Sequence, residues 1–147
     1  MKNILAAFFV FAFLLTACAP ASPQSTPRSE IEISQASIRL LGGDMPAAGY
    51  MLIKNTGALD DRLVNARADF AEQLMLHQSS VDSNGVASMK MVMAIDVPAG
   101  QTTELKPGSF HIVFEGLKPT LKVGDTVTLT LQFEQAGAVR VQARLTQ

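Results

Sequence analysis

From Ile31 onward apolar residues recur at close to every second position, and no stretch sustains a 3.6-residue period. Ile31, Ile33, Ile38 and Leu40 predict a first strand that breaks near Gly42-Gly43. Tyr50–Asn55, Arg62–Arg67, Gln73–Ser79 and Val86–Ile95 follow, then Thr102–Leu105, Phe110–Phe114, Thr126–Phe133 and Val139–Leu145. Turn-forming clusters separate them: Asn55-Thr56-Gly57, Ser83-Asn84-Gly85, Pro98-Ala99-Gly100, Pro107-Gly108, Gly124-Asp125 and Ala136-Gly137. Short strands at this spacing predict an all-β domain, an antiparallel β-sandwich. The Asn84-Gly85 pair makes a hairpin of Gln73–Ser79 with Val86–Ile95.

The N-terminal stretch breaks this pattern. Lys2 precedes an unbroken apolar run from Ile4 to Leu15, which is too short for a membrane span and reads as a secretory signal. Leu15-Thr16-Ala17-Cys18 ends it and resembles the lipobox of bacterial lipoproteins, which implies a signal peptide over 1–17 and a lipid-bearing Cys18 as the mature N-terminus. Residues 18–29, rich in Pro, Ser, Ala and Thr, then form a flexible tether, and residues 30–147 the single domain.

Composition removes several function classes. Cys18 is the only cysteine, so the domain has no thiolate for a zinc ribbon, an iron–sulfur cluster or redox exchange, and no blue-copper site can form. A formal net charge of −1 and scattered basic residues leave no stripe for nucleic acid. Asp60-Asp61, Asp125 and Glu134 fall at turns or strand ends, where carboxylates usually serve solvation, and no nucleophile spacing suggests an enzyme.

What remains is a soft donor set. The only two histidines, His77 and His111, lie on strand-like stretches that bracket Met89-Lys90-Met91-Val92-Met93. Every second side chain of a strand shares a face, so Met75 goes with His77, and Met89 with Met91 and Met93. Thioether sulfur beside imidazole suits Cu(I). Alternating methionines also serve as core filler, and alternation alone leaves both readings open.

Many pieces of the domain, taken in order, resemble the periplasmic copper chaperones of the PCu(A)C type: Ala47-Ala48-Gly49-Tyr50-Met51-Leu52-Ile53-Lys54-Asn55, Asp61-Arg62-Leu63-Val64, Leu76-His77, Val97-Pro98-Ala99-Gly100, Leu105-Lys106-Pro107-Gly108, Gly116-Leu117, Leu121-Lys122-Val123-Gly124-Asp125 and Phe133-Glu134-Gln135-Ala136-Gly137. The resemblance implies a Greek-key, cupredoxin-like sandwich and a copper motif of a histidine, a methionine and a closing His-x-Met. His77 matches the first histidine, Met89 the methionine with one extra residue in the turn between, and His111, after 21 intervening residues, the second histidine. Val113 stands where the last methionine belongs, and valine donates nothing to a metal. Either His77, Met89 and His111 hold Cu(I) as a three-ligand set of lower affinity, or a nearby methionine fills the gap, with Met91 favoured over Met93 and Met75.

The implied function is that of a lipid-anchored Cu(I) carrier on the periplasmic side of the cell envelope. It would serve assembly of the cytochrome oxidase copper site, with the oxidase copper subunit or a Sco-type protein as partner. The alternative is a degenerate member with weak or no copper binding, acting as a protein-interaction module.

Overall fold

The computed structural model describes residues 26–42, 45–118 and 120–147, so the expected signal peptide, Cys18 and most of the expected tether lie outside the described residues. Among the described residues there is no helix. Ten strands follow one another: β1 (Ile31–Arg39), β2 (Ala47–Asn55), β3 (Asp61–Arg67), β4 (Ala71–Val81), β5 (Ala87–Met91), β6 (Ile95–Val97), β7 (Thr102–Leu105), β8 (Phe110–Leu117), β9 (Thr126–Phe133) and β10 (Ala138–Thr146). The all-β expectation holds, and β4 and β5 form the expected hairpin.

Two irregularities reflect burial. Val86–Ile95 is not one strand: after Met91 the chain leaves β4, and Ile95–Val97 pairs with β3 instead. Met89, Met91 and Met93 are exposed, whereas Ile95 and Val97, of the same parity, are fully buried. The alternation continues unbroken while its environment reverses, which is why periodicity cannot reveal the break. In β1 the apolar positions change parity between Ile33 and Ile38. A bulge between Ser34 and Ser37, with Gln35 at a φ of 54°, absorbs that change.

The strands run in the order β5-β4-β8-β2-β1-β10-β9-β3-β6, with β7 also on β2. Neighbours are antiparallel with one exception to the expected pattern: β1 and β10 are parallel through Ser37–Arg39 and Arg144–Thr146. These strands come from opposite ends of the domain and are joined by no tight turn, so nothing forces them to run in opposite directions. The sheet folds over a single core in which Ile53, Leu105, Ile112 and Phe114 share a cluster with Leu63, Ile95, Leu129, Leu131, Phe133 and Leu145. Each such side chain contributes about 2 kcal/mol by leaving water.

One latch joins the start of the domain to its far end. Asp61, buried at 2 % exposure, accepts hydrogen bonds from the Ser29 hydroxyl (2.7 Å), the Gln135 N–H (2.8 Å) and the Ala136 N–H (2.9 Å). The Ala58 N–H also donates to the Arg28 carbonyl. The fixed part of the domain thus begins within the stretch expected as tether, ahead of residue 30. Asp61 is a structural anchor rather than the solvating turn carboxylate expected from its position.

Candidate metal centre

The hairpin turn sets the geometry of the site. The Asp82 carboxylate accepts from the N–H groups of Asn84 (2.8 Å) and Val86 (2.9 Å), and Gly85 takes a φ of 80° that only glycine adopts without strain. This closes β4 onto β5 in a register that pairs Ser79 with Met89 and His77 with Met91.

On its other side β4 pairs with β8, and here His77 stands directly opposite His111, and Met75 opposite Val113. Directly paired residues share a face, so Met91, His77 and His111 form one row across β5, β4 and β8. Met89 and Ser79 form the row nearer the hairpin turn. Met75 and Val113 form the row beyond, which continues to Ala48 of β2.

This face points away from the core. Leu76 of β4 and Ile112 and Phe114 of β8 belong to the core cluster and Leu74 packs against it, whereas Met75, Val113, Met89, Met91 and Met93 do neither. Met51, at 2 % exposure, is the core-filling methionine of the domain. The filler reading of the β5 methionines is therefore excluded: Met89 is 60 % exposed, Met91 62 % and Met93 85 %. Met93 lies on the crossover to β6, off the paired rows.

The two imidazoles have their ring centres 5.9 Å apart, edge to face. His111 is buried, and its Nδ1 lies 3.0 Å from the Ser109 carbonyl. A carbonyl only accepts, so Nδ1 carries the proton and the free lone pair is on Nε2. Ser109 holds this position because its loop is tied at both ends. Lys106 N–H donates to the Phe110 carbonyl (2.9 Å), and the Ser109 carbonyl also accepts from Ser79 N–H (3.0 Å). His77 Nδ1 is buried without a hydrogen-bond partner. Burial and the neighbouring His111 hold the His77 imidazole below its ordinary pKa, against a smaller opposing pull from Glu115. Both effects favour the neutral His77 ring, the state in which an imidazole takes up a metal.

Among the described residues no group of three His, Cys, Asp or Glu side chains could hold a metal. The side-chain donors that share the face of the histidine pair are thioethers, and imidazole with thioether suits a soft cation. The cavity of about 400 Å³ beside Asp60, Asp61, Asp96 and Glu134 lies around β3 and β6, at the far end of the strand order from β4 and β5.

Sequence reasoning placed His77, Met89, Met91 and His111 on neighbouring strands, and the register brings all four to one face. It missed the Ser109 carbonyl, because a backbone partner leaves no residue signature. It also could not see that Met75 faces Val113.

The cupredoxin-like β fold is shared with solved PCuAC domains. The copper-bound PCuAC domain from PmoF2 superposes with a TM-score of 0.67 at 24 % identity, covering 82 % of this chain and 96 % of that one. CuI-DR1885 from Deinococcus radiodurans gives a TM-score of 0.61 at 30 % identity, with 86 % of this chain and 83 % of that one covered. A lipoprotein from Leifsonia xyli subsp. xyli is 36 % identical over 139 residues, 89 % of this chain and 82 % of that protein. The LpqE-like lipoprotein family model matches residues 31–145, and the chain belongs to that family.

Proposed function

We propose that this protein is a non-enzymatic Cu(I) carrier of the cell envelope, anchored through Cys18. The metal would be held by His77 and His111, with sulfur from Met89 and Met91 on the β5 side. The observation that carries this reading is the direct cross-strand pairing of His77 with His111 on the face away from the core. Copper-bound relatives of the same fold support it.

The site suits transport rather than storage. Copper is cargo here, and the exposed thioethers of β5 are open to an incoming partner while His111 sits fixed on the Ser109 carbonyl. A partner's ligands would displace the mobile sulfurs first and the anchored imidazoles last, so the ion changes hands without being freed. On this reading delivery is toward the copper site of cytochrome oxidase on the periplasmic side, directly to its copper subunit or through a Sco-type protein.

An anaerobic Cu(I) competition titration against a chromophoric chelator, with a His77→Ala, His111→Ala double variant alongside, tests this. Tight uptake of a single equivalent that the double variant loses is the expected result. No competition at micromolar chelator would overturn the copper reading. It would favour a protein-interaction module on the same surface, the reading that the buried Val113 supports.

A further inference from the structure

The position lost at Val113 has a sulfur directly across the strand pair. Val113 lies one step along β8 from His111 on the shared face, so a thioether there would have approached an ion between the two histidines from the side away from the hairpin turn. Met75 occupies the mirror position on β4: it lies one step along from His77, and its register partner is Val113 itself. The His-x-Met arrangement absent from β8 is thus present on β4 in reverse, as Met75-Leu76-His77.

Burial supports this placement. Leu74 and Leu76, on either side of Met75 in sequence, pack against or within the core, while Met75 does not. Its side chain is half-buried on the histidine face. A flexible, polarizable side chain held there is neither core filler nor freely solvated. Met89 and Met91 belong to β5, on the opposite side of β4 from His111, and neither occupies the row of Val113. Resting on the copper reading above, the geometry points to Met75 as the thioether ligand that replaces the one lost at Val113, closing the site on the side opposite Met89.

The test uses the full chain in detergent with methionines labelled at the ε-methyl carbon, titrated anaerobically with Cu(I) and followed by NMR. Coordination through sulfur displaces a methyl resonance, so the Met75 signal should move with the first equivalent. Met75→Leu, which conserves volume, should weaken Cu(I) binding by about tenfold or more with an unchanged melting midpoint. Adding Val113→Met to that variant should restore the affinity. Uptake of Cu(I) with the Met75 methyl unmoved would overturn this assignment and leave the carrier reading standing. Absence of any Cu(I) uptake would remove both.

Discussion

Replacing Asp61 by alanine should unlatch the domain while leaving the metal site alone. The carboxylate is almost wholly buried and serves three donors from distant parts of the chain: the Ser29 hydroxyl, and the N–H groups of Gln135 and Ala136. A hydrogen bond to a charged group is worth about 1.5–3 kcal/mol, and these three share one acceptor group, so they do not add in full. A net loss of about 3 kcal/mol follows for Asp61→Ala, or about 12 °C in melting midpoint for a domain of this size. Burial pushes the Asp61 carboxyl up, but the bonds from Gln135, Ser29, Ala136 and Arg62 together outweigh it and hold the group below its ordinary value of 3.8. Its contribution is therefore fully present above pH 4 or so and is lost as pH falls through the lowered folded-state value. Urea denaturation of wild type and variant from pH 7 down to pH 3 should show a gap that is constant near neutrality and narrows in acid. A gap under about 1 kcal/mol at pH 7, or one that does not change with pH, would refute the latch. Cu(I) affinity should be the same in both proteins where both are folded, since Asp61 lies on β3 and the histidines on β4 and β8.

Other sites give equally direct outcomes. Gly49→Ala places a methyl 2.7 Å from the Phe114 ring, which is fully buried and stacked on Phe70, so it should cost about 1–3 kcal/mol in chemical denaturation; a neutral result would mean that β8 shifts freely. His77 is held below its ordinary pKa, so the proton competes poorly for it. Cu(I) affinity should therefore fall in acid less steeply than it would with an ordinary imidazole at position 77, as chelator competition across pH would record. Met91→Leu should weaken Cu(I) binding with the fold intact, and an unchanged affinity in the same titration would remove Met91 from the site. Gly85→Val should destabilise the hairpin turn, because a β-branched residue at a φ of 80° is strained, and faster amide exchange in β5 is the measurement.

The strands and the hairpin were legible from sequence because their causes are local. Alternation marks which residues can share a face, and Asn84-Gly85 supplies the turn that folds Met89 and Met91 back beside His77. That Val113 carries no metal donor is also visible, since an aliphatic side chain has no lone pair in any surroundings. The tertiary structure decided what depends on pairing between distant segments. The register of β4 against β8 puts His77 opposite His111 and Met75 opposite Val113, and a shift of one residue would have sent the histidines to different faces. The layer crossing after Met91 turns one continuous alternation into an exposed methionine stripe followed by two core residues. The anchoring of His111 by a backbone carbonyl and the burial of Asp61 belong to the same class. Periodicity reports the local preference of each segment, whereas a site is made by the long-range packing that chooses among the faces those preferences allow.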